Sequence, residues 1–134
     1  MTASNTQVRI ISLPKISDPR GSLTFIEGNS HIPFEIKRVF WIYDVPGGET
    51  RGGHAYRTQE EFIVALSGSF DVVVHDKKIR TVYNLNRSYL GLYILGGYWR
   101  HMENFSTNSV AMVLSSMEFD EQDYVRNFDE YIGV

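Results

Sequence analysis

Gly48-Glu49-Thr50-Arg51-Gly52-Gly53-His54-Ala55-Tyr56-Arg57-Thr58-Gln59-Glu60, running on through Glu61-Phe62-Ile63-Val64-Ala65-Leu66-Ser67 to Gly68, is the stretch on which the fold turns. Residues two apart on a strand point to one face, so His54 and Tyr56 project together. If that face lines a barrel mouth, both side chains reach one ligand. Gly52 and Gly53 permit a tight bend and close backbone approach just before them. Arg51, three positions before His54, falls on the opposite face of an unbroken strand. A bulge at Gly52-Gly53 would re-aim it into the same mouth.

On either side of this stretch the chain reads as short strands separated by turns. Leu23–Glu27 follows the turn Asp18-Pro19-Arg20-Gly21, and Ile36–Tyr43 is rich in β-branched and aromatic residues before Pro46-Gly47-Gly48 stops it. Phe62–Leu66 comes next. Phe70, Val72 and Val74 then alternate with Asp71, Val73 and His75, the period of a half-buried strand. Asp76–Lys78 reads as a hairpin tip with Ile79–Leu85 returning, followed by Leu90–Leu95 and Val110–Ser115. Only the C-terminus reads as a helix: Tyr124, Phe128, Tyr131 and Ile132 share one helical face, and Asp120, Glu121 and Asp123 precede them at the positive end of the dipole. Many short strands in one small chain predict a barrel or sandwich, here a single domain over 1–134 with residues 1–7 as an extended or disordered arm.

Composition narrows the function classes. At 134 residues the chain has the length of one domain, and with no cysteine it has no disulfide, thiolate catalysis, Cys-based zinc site or iron–sulfur cluster. A net charge of −3 lacks the basic footprint of a nucleic-acid-binding domain. The longest apolar runs, such as Val39–Tyr43, are far short of the ~20 residues of a membrane span, and the polar N-terminus has no apolar signal-peptide core, so a cytoplasmic location is expected. Nine of the thirteen basic residues are Arg, whose planar fork suits phosphate and carboxylate oxygens. His31 and His75 read as surface residues. Trp41, Tyr43 and Trp99 have the shape to stack on a base, although barrel aromatics more often pack in a core.

Read together, Gly48, His54, Tyr56, Glu60 and Gly68 resemble the first cupin motif, with the second falling at Gly91–Asn104. A set of further segments recurs in one order: Asp18-Pro19-Arg20-Gly21-Ser22-Leu23, Ile32-Pro33-Phe34-Glu35-Ile36-Lys37-Arg38-Val39, Arg51-Gly52-Gly53-His54-Ala55, Gly91-Leu92-Tyr93, Met112-Val113-Leu114 and Phe119-Asp120-Glu121-Gln122-Asp123-Tyr124-Val125-Arg126. From about Ile11 to Tyr131 the chain is similar to the sugar 3,4-ketoisomerases, WxcM-like cupins.

The resemblance implies an all-β, cupin-type β-barrel (jelly roll) with a short C-terminal helix, usually an intertwined homodimer. It implies a reaction that moves the ketone of a dTDP-linked 4-keto-6-deoxyhexose from C4 to C3, for amino-deoxysugars of surface polysaccharides, with no metal and no cofactor. On this resemblance the catalytic candidates are His54, Tyr56 and Arg51, and the substrate-binding candidates are Arg20 and Arg100; Tyr43 joins the latter as an aromatic shaped to stack on the base. Tyr56 stands where the family carries its second histidine, the proposed base. A phenol titrates near 10, so Tyr56 would serve as an acid toward the C4 oxygen, or as a base if Arg51 or Arg100 lowers its pKa. His54 alone could carry the base role.

Two other readings stay open at this point. The substitution of Tyr56 admits a cupin that binds a dTDP-sugar without turning it over, or with altered chemistry. A metal-dependent cupin would draw its ligands from His54, Glu60 and His101. His101 adjoins Arg100, so the two face opposite ways on one strand.

Overall fold

A computed structural model describes residues 7–133; most of the expected N-terminal arm, residues 1–6, lies outside the described residues. The strands are β1 (Arg9–Ser12), β2 (Lys15–Asp18), β3 (Gly21–Thr24), β4 (Arg38–Tyr43), β5 (Arg51–Tyr56), β6 (Glu61–Ser67), β7 (Phe70–His75), β8 (Arg80–Leu85), β9 (Leu90–Ile94), β10 (Trp99–Glu103), β11 (Val110–Ser115) and β12 (Tyr124–Val125). They form two five-stranded sheets, in the orders β1-β9-β6-β11-β4 and β12-β5-β10-β7-β8, and β2 and β3 make a separate hairpin. Every strand pair is antiparallel. This is the expected all-β barrel.

The inner faces of the two sheets supply one shared core. Ile63, Ala65, Leu92, Ile94, Ala111 and Val113 come from the first sheet, and Phe70, Val72, Val74, Leu85 and Met102 from the second. Alternation along each strand sends every other side chain inward, as β4 shows with its half-buried Arg38, Phe40 and Ile42 against exposed Val39, Trp41 and Tyr43. The outer face of the first sheet is covered by the N-terminal segments: Leu13, Ile32 and Phe34 pack on Phe62, Val64, Tyr93 and Leu114. Gly91 makes this close packing possible, because a Cβ there would lie 2.1 Å from the ring of Phe62.

The C-terminus departs from its sequence reading. Tyr124 is not on the helix: Glu121–Asp123 form a 3-10 turn capped by the Asp120 side chain, and Tyr124 and Val125 pair with Tyr56 and Ala55 as β12. The helix α1 (Phe128–Ile132) begins only after Asn127, whose side chain accepts the Glu130 N–H, and ends at Gly133 in the left-handed region. Strand pairing with the edge of β5 overrides the helical spacing of Tyr124 and Phe128. Helix α1 then covers the outer face of the second sheet, where Ala55, Trp99 and Tyr131 cluster with Val125, Phe128 and Ile132. His75, expected on the surface, instead meets Phe128 edge-on at 5.1 Å.

Candidate active site

Strand β5 carries the bulge. Arg100 pairs with His54 but Met102 pairs with Arg51, so three steps on β5 match two on β10. Gly52 absorbs the extra residue at φ 71°, a left-handed value glycine takes without steric cost. Directly opposed residues share a sheet face, so Arg51 turns to the side of Met102 rather than away from His54's side. It nevertheless stays exposed at the rim, in a shallow cavity of about 230 Å³ shared with Trp41, Ile42, Tyr43, Asp44, Val45 and Pro46. Arg51 and Tyr43 are thus brought together there.

Between the sheets sits a second group. His54 is only 7% exposed, and its ring meets Tyr56 at 4.6 Å and Tyr124 at 4.9 Å, both edge-on. The Tyr56 hydroxyl donates to the Tyr124 hydroxyl at 3.3 Å. Arg126 lies 4.1 Å over the Tyr124 ring. Arg100, across the strand pair from His54, is 1% exposed and spans to the other sheet. Its Nε and Nη2 donate to the two carboxylate oxygens of Glu61 at 2.8 and 2.7 Å, and its Nη1 donates to the Gly52 carbonyl at 2.9 Å. Beside them Arg38 donates to Gln59 at 2.9 Å.

Several polar atoms in this group are buried without a partner: His54 Nε2, Arg38 Nε, Gln59 Nε2 and Ser115 Oγ. Buried polar atoms are paired in most proteins, so this concentration singles out the group as the candidate site. The turn leading into it is pinned by Asp123, whose carboxylate accepts from the Thr58 N–H, the Thr58 hydroxyl and the Gln59 N–H at 2.8–3.0 Å.

Electrostatics assigns the protonation states. Burial, followed by the charges of Arg100, Arg126 and Arg38, pushes the His54 imidazole down to about 2, so it is neutral. The Tyr56 phenol moves the other way. Burial raises it, the Glu61 charge adds to this, and together they outweigh the lowering by Arg100. Of the two roles weighed for Tyr56, burial and the Glu61 charge favour the uncharged donor over the phenolate base.

Arg20 is placed elsewhere. It sits in the β2–β3 turn, its side chain 89% exposed, with its guanidinium on Asp18 at 2.7 Å; none of its contacts reaches the His54 group within one chain. The three metal-ligand candidates are also dispersed. His101 faces away from Arg100 and bonds Glu103 at 2.8 Å, while Glu60 accepts from the Tyr93 hydroxyl. Among the described residues no three metal-ligating side chains converge, so this donor set does not fit a metal site. Glu61, Tyr124, Gln59 and Arg38 were missed as site residues. Glu61 carried one signal, a carboxylate opening the apolar run Phe62–Ala65; Tyr124 carried another, its place in the tail motif.

Known proteins share this architecture. A family model, FdtA, described as "WxcM-like, C-terminal", matches residues 6–134. A TDP-4-oxo-6-deoxy-alpha-D-glucose-3,4-oxoisomerase of Aneurinibacillus thermoaerophilus is 43% identical over 92% of this chain and 88% of its own. Among solved structures, a variant of a 3,4-ketoisomerase from Thermoanaerobacterium thermosaccharolyticum, in complex with TDP-4-keto-6-deoxyglucose, superimposes with a TM-score of 0.92 at 38% identity, covering 94% of this chain and 91% of that one. A TDP-quinovose 3,4-ketoisomerase from Campylobacter jejuni gives 0.89 at 41% identity, over 95% and 98% of the two chains.

Proposed function

Because the chain belongs to the WxcM-like family of sugar 3,4-ketoisomerases, we propose that it moves the ketone of a TDP-4-keto-6-deoxyhexose from C4 to C3. The observation that carries this reading is the buried His54, its Nε2 unpartnered, set in ring contact with Tyr56; burial favours the neutral imidazole and the protonated phenol. One accepts a proton and the other donates one, as an enediol reaction requires.

The steps balance without any other reagent. His54 removes the proton on C3 while the Tyr56 hydroxyl donates to the C4 oxygen, and the C3–C4 enediol forms. The imidazolium then returns its proton to C4, and the tyrosinate takes the proton of the C3 hydroxyl, leaving the ketone at C3 and both side chains in their starting states. Arg100 has five N–H donors, of which three are used by Glu61 and Gly52, so two remain for sugar oxygens. A bound diphosphate opposes the Arg charges that depress His54, and so strengthens the base once the substrate is in place. The exposed Arg51, beside Tyr43, suits a phosphate contact at the rim rather than proton transfer.

The family resemblance also supports a homodimer. The β2–β3 hairpin exposes Ile16 and Leu23, and edge strand β4 exposes Val39, Trp41 and Tyr43. An apolar cavity of about 640 Å³ opens between β3 and the first sheet, lined by residues that include Phe25, Val39, Leu66 and Met112. Uncovered apolar surface of this extent and an unpaired edge favour a second copy, and Arg20 on the hairpin would travel with it. The sedimentation mass at micromolar concentration tests this: twice the chain mass is expected, and a monomer contradicts it. Among the described residues no helix is long and apolar enough to cross a membrane. Conversion of TDP-4-keto-6-deoxyglucose to its 3-keto isomer is the direct test of the activity.

A further inference from the structure

Arg100 is an unusual residue to find wholly inside a small barrel. Its charge is buried between the sheets, where an unpaired guanidinium is strongly disfavoured. Two features of the fold are shaped around it. Glu61, also 1% exposed, opens β6 and presents both carboxylate oxygens to Nε and Nη2 in a fork-to-fork pair. On the opposite sheet, the bulge turns the Gly52 carbonyl onto Nη1, and a Cβ at Gly52 would lie 2.1 Å from that nitrogen. The guanidinium is therefore held from two sheets at once, and it cannot rotate without breaking a charged hydrogen bond.

We propose that Glu61 is a positioning residue for the isomerase reaction: with the Gly52 carbonyl it clamps the Arg100 guanidinium beside His54 and Tyr56 and balances its charge. The inference rests on the isomerase reading and adds a requirement to it. Glu61 acts only through Arg100. Its two oxygens fix which Arg100 N–H groups stay free, and an error of about 1 Å in such a group costs on the order of 10²-fold in rate. Its charge also offsets that of Arg100 next to Tyr56, so the phenol keeps the proton it must donate.

The test is a double-mutant cycle of Glu61→Gln, Arg100→Gln and the double variant, measured as kcat and KM on TDP-4-keto-6-deoxyglucose. If Glu61 works through Arg100, each single variant and the double lose a similar ~10²-fold in kcat, with a smaller change in KM. Losses that multiply, or a folded Glu61→Gln with wild-type kcat, overturn the proposal. A single variant leaves one buried charge unpaired and can fail to fold. The double removes both charges, and wild-type kcat in it likewise overturns the proposal. A second readout needs no turnover: nitrogen-15 NMR of the Arg100 side chain. Slowly exchanging Nε–H and Nη–H signals are expected in the wild type and should disappear in Glu61→Asp, which retracts the carboxylate; rapid exchange in the wild type refutes the clamp. A wild-type protein that shows these signals but no isomerisation would count against the isomerase reading and leave the clamp standing.

Discussion

Arg100 on β10 lies directly opposite His54 on β5, and this one cross-strand pair sets a fixed positive charge beside the proposed base. Burial, the larger cause, and this charge together keep the imidazole neutral in the free enzyme.

His54→Asn should keep the fold and lose ~10²–10⁴-fold in kcat, the contribution of a positioned general base. Circular dichroism and steady-state rates check it. A rate near wild type would remove His54 from proton transfer.

The depressed His54 pKa makes two pH predictions. First, kcat/KM reports the free enzyme, so it should show no acidic limb near 6.5, whereas kcat, which reports the complex, should show its limb at higher pH than kcat/KM does. Second, an unfolded histidine takes up a proton near 6.5 while the folded one stays neutral down to about 2. The unfolded state thus binds more protons below 6.5, and stability falls as pH drops. The decline in Tm between pH 7 and 5 should be shallower in His54→Asn than in the wild type; equal slopes would contradict the burial of a neutral imidazole.

Tyr56→Phe should lower kcat by roughly 10-fold or more, because the donor to the C4 oxygen is lost while the ring contacts to His54 and Tyr124 stay. Tyr56→His sets a second imidazole beside His54 and should keep or raise activity. Full activity in Tyr56→Phe would make the hydroxyl a bystander.

Gly91→Ala tests the packing rather than the chemistry. The added methyl meets the Phe62 ring, which is fully buried, and should destabilise the protein by about 1–3 kcal/mol in chemical denaturation. An unchanged midpoint would show that Phe62 has room to move.

What the sequence revealed of this site was its local part. The two-residue spacing of His54 and Tyr56 and the paired glycines before them are features of one strand, and period and bulge can be read within it. Glu61 and Arg100 are separated along the chain and meet only because β6 and β10 face each other from different sheets, which no local pattern encodes. Tyr124 was misread for a related reason: its spacing to Phe128 fits a helix, but pairing with β5 decides its conformation. Arg20 shows the converse case, a residue legible in a motif that the fold holds on Asp18 in an exposed turn.

The central claim is tested most directly by incubating the protein with TDP-4-keto-6-deoxyglucose in deuterated water and following C3 and C4 by NMR. The account predicts a new 3-keto sugar that carries hydrogen or solvent deuterium on C4, with any deuterium in the recovered 4-keto substrate confined to C3. Binding of the nucleotide sugar with no exchange at C3 and no new keto position would contradict it.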